Sequence, residues 1–209
     1  MPSRLLVFDR TCTSGPGGLS PIWSLGSHLY RGLRRIDATC GVASWDEALG
    51  WLATQPAPIE EIQFWGHGKW GAAMVGNDVL DARSLGPSHP HRKPLDALAE
   101  GLAPDALIWF RTCETLGAAR GIDFAERLSD RLGARVAGHT FIIGFHQSGL
   151  HGVSPGVRAD WSPEEGLAEG TAEAPRRAKW STPLATRTIT CLAGRVPEGW
   201  FASAAGNGA

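Results

Sequence analysis

The chain has 209 residues, 43% of them hydrophobic and 20% charged, which is enough for one well-buried core and short for two, so one domain over residues 1–200 is expected. A formal net charge of −1 and a pI near 6.6 provide no global field for a nucleic acid or an anionic membrane surface, and neither is expected as a partner. No run approaches the ~18 apolar residues of a membrane span, and Leu5-Leu6-Val7-Phe8 is too brief for a signal-peptide core, so a cytoplasmic location is expected.

Residues 4–8 read as a first strand, followed by a glycine-bearing loop to Ser20 that lacks both the G-x-G-x-x-G and the G-K-[ST] spacing of phosphate cradles. Ser20-Pro21 fits an N-cap with proline at the first helical position. Ile22, Leu25, Leu29 and Leu33 then recur at helical spacing and predict a core-facing stripe. A second strand over 36–42 leads to Ser44, which with Glu47 matches a capping box for a helix from 45 to about 54.

Pro56 and Pro58 close that helix, and an apolar strand, 61–65, runs into Gly66-His67-Gly68-Lys69-Trp70-Gly71, where the glycines permit tight turning and close backbone approach. A short β-like turn is expected over 71–77 and an exposed loop over 88–94, whose His89 and His91 have no third ligand at a spacing that suits a metal. A helix over 95–102 precedes the strand 105–111, which ends in Thr112-Cys113-Glu114 and repeats the histidine strand's design 113 − 67 = 46 residues later.

After a loop around Gly117 and Gly121, a helix over 122–132 carries Phe124, Leu128 and Leu132 on one face and stops at Gly133. A fifth strand, 135–141, holds His139 near its end, and a sixth is expected at 186–192. Between them, 144–185 reads as a long irregular insertion of the functional or mobile kind, and 201–209 as a disordered tail. The cysteines Cys12, Cys40, Cys113 and Cys191 form no C-x-x-C pair and are expected as free thiols. Cys40 and Cys191 read as buried small hydrophobes, while Cys113 has the context of a reactive group.

Strands alternating with helices predict an α/β three-layer sandwich, with a mainly parallel six-stranded sheet covered on both faces. In such sheets ligands bind beyond the carboxyl ends of the strands. Side-by-side third and fourth strands would bring His67 and Cys113 to one crevice, where an imidazole helps to generate a thiolate. The backbone N–H groups of Gly68 and Cys113 would face a developing oxyanion.

A hydrophobic strand ending in Trp65-Gly66-His67-Gly68, a strand from Ile108 ending in Cys113, a helix to Leu132 and the segment Gly133-Ala134-Arg135-Val136-Ala137 together resemble the caspase-like cysteine peptidases of clan CD. The nearer likeness is to bacterial caspase-like domains of unknown function, and it covers roughly residues 59–143. The resemblance implies a caspase-like sheet, Cys113 as nucleophile, His67 as the group that protonates the leaving amine, Gly68 as an oxyanion donor, and a protein or peptide substrate. It implies no cofactor and no metal. The sequence departs from caspases proper at Arg111-Thr112-Cys113-Glu114, so their specificity does not carry over.

Trp65, Trp70, Arg111, Glu114, His139, Asp160 and Trp161 are the candidates for the substrate pocket. Glu114 would oppose thiol ionisation unless Arg111 or Lys69 paired with it. Plainer alternatives stay open for each: a turn histidine, a buried thiol, core tryptophans, a satisfied core His139 and a solvated Asp160. Beside the peptidase stand two other readings, a catalytically weak caspase-like binding module and a metal-dependent hydrolase using His67, Cys113 and His139.

Overall fold

The computed structural model describes residues 3–13 and 18–203. In chain order the elements are β1 (Ser3–Asp9), α1 (Ser20–Gly32), β2 (Ala38–Val42), α2 (Trp45–Ala53), β3 (Ile59–Trp65), β4 (His67–Lys69), β5 (Ala72–Val75) and β6 (Asp78–Asp81). There follow α3 (Arg92–Gly101), β7 (Leu102–Arg111), α4 (Ala118–Leu132), β8 (Arg135–His139), β9 (His146–Gln147), β10 (Leu150–Val153), β11 (Leu167–Gly170), β12 (Pro175–Ala178) and β13 (Ile189–Thr190). The organising sheet has the order β10-β8-β7-β3-β1-β2, parallel throughout except for β10, which runs antiparallel to β8. The fold is thus α/β with a mixed, mostly parallel six-stranded sheet.

Side-chain alternation divides the strands between two faces. Leu5, Val7, Ile62, Phe64, Ile108, Phe110 and Val136 pack with Leu49 and Leu52 of α2, Leu95 and Leu98 of α3, and Phe124 and Leu128 of α4. On the opposite face Leu6, Phe8 and Trp65 meet Tyr30 of α1, while Leu107, Trp109 and Leu150 are covered by Val196 and its neighbours. Helices therefore flank the sheet on both faces, but β7 and β8 receive an irregular C-terminal segment where α1 does not reach.

Local signals placed several boundaries. Ser44 Oγ accepts from Glu47 N at 3.1 Å, as a cap should, although the Glu47 carboxylate returns to Ala43 N at 2.8 Å and pairs with Arg10. Gly133 closes α4 in the left-handed region at φ 60°.

Other expectations are corrected. Ile22, Leu25 and Leu29 of α1 and Leu33 just beyond its end are exposed, and the helix instead buries Ser20, Ser27 and Tyr30. The reason is a close approach: a Cβ on Gly26 would lie 2.7 Å from the Trp65 ring, so the small-residue face seats the helix while Tyr30 bonds to Cys191 and Ala193 carbonyls. Leu19 holds the N-cap position of α1 without a side-chain bond, so Ser20 is not the cap.

The sixth strand of the sheet is β10, buried at all four residues, and not 186–192, of which only Ile189–Thr190 pairs, with β9. The 144–185 insertion therefore contains a sheet strand, the hairpin β11–β12 and β9. Residues 71–77 belong to the antiparallel meander β4-β5-β6. His91 is buried, with ring nitrogens 3.1 Å from Asp46 and 3.4 Å from Asp78, in place of a solvated loop. Cys40 and Cys191 are only half-buried, and all four cysteines are free. Of the expected disordered tail, 204–209 lie outside the described residues, while Phe201 bridges to Gly152.

Candidate functional site

Three neighbouring parallel strands end together. The pairs Phe8↔Trp65 and Trp65↔Arg111 are opposed in the ladders, so the chain leaves β1 toward Cys12, β3 toward His67 and β7 toward Cys113 along one edge of the sheet. His67 and Cys113 each lie two residues beyond the opposed Trp65 and Arg111.

Backbone bonds bind the two segments. Trp70 N donates to the Glu114 carbonyl at 3.0 Å and Gly71 N to the Thr115 carbonyl at 2.7 Å, while Glu114 N reaches Phe141 O at 2.9 Å. Trp70 and Glu114 adopt positive φ, 33° and 37°, a strained backbone that these bonds hold in place. Gly68 sits in the join, where a Cβ would overlap Thr115 Oγ1 and stand 2.7 Å from both Cys113 O and Thr112 Oγ1. The last two threonines bond to each other at 2.5 Å, so they have little room to yield. Gly68→Ala is expected to cost about 1–3 kcal/mol and to lower the melting temperature by roughly 2–4 °C per kcal/mol; an unchanged melting curve would contradict this packing.

The His67 imidazole is exposed, stands edge-on to Trp23 with centroids 5.5 Å apart, and places Nε2 3.3 Å from the Cys12 sulfur. Asp9 shapes the loop that delivers Cys12 by accepting from Thr11 N and Oγ1, both at 2.7 Å, and from Gly76 N at 3.2 Å. Cys113 is half-buried with its sulfur 3.9 Å from the Ile143 carbonyl. Burial pushes its thiol up, and the Glu114 carboxylate adds to the rise. Glu114 is itself raised by burial, with Lys69 pulling the other way, and its Oε2 is buried without a partner.

The remaining predicted pocket residues scatter. Arg111 does not pair with Glu114; it is buried on the α1 face, bonding to Gln147, Tyr30 and the Cys191 and Ala193 carbonyls. Trp65 is buried against Tyr30, and Trp161 is core, donating to the Leu116 carbonyl at 3.2 Å. Asp160 is partly exposed, 3.9 Å from Arg187. His139 is fully buried with Nδ1 on the Ser148 carbonyl. Trp70 alone of this set lines an open cleft of about 720 Å³, with Lys69, Met74, Arg83, Arg120 and Pro175, and neither His67 nor Cys113 lines it.

Among the described residues no group of three or more His, Cys, Asp and Glu side chains is arranged to hold a metal ion, and no helix is long and apolar enough to cross a membrane. Sequence reasoning passed over Cys12, although it follows a strand end as His67 and Cys113 do; which strands are neighbours decides what that loop meets.

Comparison with known proteins gives one family match, to "Domain of unknown function (DUF4347)", over residues 40–164. No curated protein and no solved structure matches the chain.

Proposed function

Since the chain belongs to the DUF4347 family, a domain of unknown function, we propose its role from the site itself: a cysteine peptidase of the caspase-like type, hydrolysing peptide bonds in a protein substrate. The observation that carries this reading is the ladder between β3 and β7, which opposes Trp65 to Arg111 and so starts the His67 and Cys113 segments side by side. The mixed, mostly parallel six-stranded sheet supports the reading at the level of an α/β layout.

In this mechanism the Cys113 sulfur attacks the peptide carbonyl, and the N–H groups of Gly68 and Cys113 face the oxyanion. His67 gives a proton to the leaving amine, and water then releases the acyl group from sulfur. Phe145 and Trp180 are both largely exposed, and Trp180 bridges to Ile142, whose neighbour Ile143 places its carbonyl 3.9 Å from the sulfur.

A second reading, a caspase-like binding module with weak or absent catalysis, is favoured by the burial that raises the Cys113 thiol and by the contact of His67 with Cys12. The metal-dependent alternative has less support, because His139 is buried on the Ser148 carbonyl.

Incubation with a mixed peptide pool, read by mass spectrometry, separates the first two. The peptidase reading expects cleavage that falls about 100-fold or more in Cys113→Ala and in His67→Ala. Cleavage that survives Cys113→Ala would overturn Cys113 as the nucleophile, and a wild-type chain that neither cuts the pool nor takes an iodoacetamide probe at Cys113 would leave the binding module.

A further inference from the structure

We propose that Cys12 is a second reactive thiol, a site of oxidation by hydroperoxides that uses His67 as its proton carrier. The pair is close, with the imidazole Nε2 3.3 Å from the sulfur, and reachable, since His67 is exposed and Cys12 half-buried. It is also held in place. Ser20 N donates to the Cys12 carbonyl at 3.1 Å, Asp9 anchors the start of the loop through Thr11, and Trp23 stands edge-on against the imidazole. The sulfurs of Cys40 and Cys113 lie instead against backbone carbonyls, at 3.7 and 3.9 Å, and burial pushes both of those thiols up.

The thiol proton passes to Nε2, and the sulfur attacks the nearer oxygen of the hydroperoxide. The O–O bond breaks, and the departing alkoxide or hydroxide recovers the proton from His67. Thiol and hydroperoxide thus become sulfenic acid and alcohol or water, the sulfur losing two electrons that the peroxide gains. The sulfur turns aside, since 3.3 Å has no room for an oxygen in between, and the sulfenic hydroxyl bonds to Nε2 and takes up the nitrogen needed at Cys113. This last consequence rests on the peptidase reading, whereas the oxidation does not.

Limiting hydrogen peroxide is added to the 209-residue chain with dimedone, and the adducts are mapped by peptide mass spectrometry. The expected result is an adduct on Cys12 about tenfold above those on Cys40, Cys113 and Cys191, falling about tenfold in His67→Asn. Even labelling across the cysteines, dominant labelling elsewhere, or an adduct indifferent to His67→Asn would overturn the proposal. The ranking within the wild-type chain requires no variant to fold. Because the adduct on Cys12 is expected to persist in Cys113→Ala, labelling without peptide cleavage would remove the peptidase reading alone, and cleavage without labelling would remove only this one.

Discussion

Acidification from pH 6.5 toward pH 3 is expected to cost the fold about 3–5 kcal/mol through His139, with most of the loss accumulating below pH 5.5. The side chain is fully buried at the end of β8, its Nδ1–H donates to the Ser148 carbonyl at 3.1 Å, and Nε2 is buried with no partner. Burial is the main cause that pushes its pKa down to about 3, and the positive charges of Arg111 and His151 act in the same direction. Unfolded, the imidazole takes up a proton near pH 6.5, as an ordinary histidine does. Between the two values the unfolded chain holds a proton that the native chain refuses, so stability is complete above about pH 6.5 and declines as pH falls toward the native value.

Urea denaturation at several pH values measures this, and His139→Asn supplies the contrast, since its amide can still donate toward Ser148. The variant should lose the steep part of the pH dependence whatever its stability at pH 7. If its slope below pH 6.5 matches that of the wild type, another group is responsible. Glu165 is the alternative. Burial would raise its carboxyl, but its bonds to His151 and Thr140 and the Arg187 charge outweigh that and lower it, so its contribution too is lost as pH falls.

Arg111→Met is expected to destabilise the protein by about 3 kcal/mol, shifting the melting temperature by roughly 6–12 °C for a chain of this size. The guanidinium is buried beneath Tyr30 and over Trp109, 4.5 Å from the centre of its ring. It gives two bonds to Gln147 Oε1, one to the Tyr30 hydroxyl, and one each to the Cys191 and Ala193 carbonyls. Removing it leaves buried Gln147 Oε1 without a donor and the Cys191 and Ala193 carbonyls with the Tyr30 hydroxyl alone, a cost of about 1–3 kcal/mol for each lost bond that water cannot replace.

Burial lowers the pKa of Arg111, so holding the charge there has a cost that methionine would relieve, and the expected loss is the difference between the two effects. The loss should be local as well as global, since these bonds tie the 189–193 segment to the sheet. Limited proteolysis should therefore cut around residues 186–200 sooner in the variant. Lysine should not rescue it, because one ammonium cannot reproduce the planar fork. A variant as stable as the wild type would mean that the apolar replacement packs as well as the charge it displaced.

Much of the sheet could be read locally. The strands that became β1, β3, β7 and β8 are short apolar runs bounded by turn residues, and burial on both faces requires such runs. The same reasoning placed α2 by its cap and α4 by its apolar stripe and closing glycine. It failed on β10, where Leu150-His151-Gly152-Val153 offers no apolar run and exists as a strand because β8 is there to pair with it. It failed on α1 too, where a leucine stripe points outward because Gly26 allows the other face to lie on Trp65.

His67 and Cys113 were legible as strand-end residues, since a histidine and a cysteine among turn residues after apolar runs are features of adjacent positions in the chain. That Cys12 meets His67, that Arg111 turns away from Glu114, and that Trp161 is core were decided by which strands are neighbours and which face each residue takes. The sequence by itself determined the elements, because hydrophobic periodicity and capping act over a few residues. Only the tertiary structure decided which thiol stands at the imidazole, because β1, β3 and β7 come together through contacts between segments 40 to 100 residues apart, for which no local pattern exists.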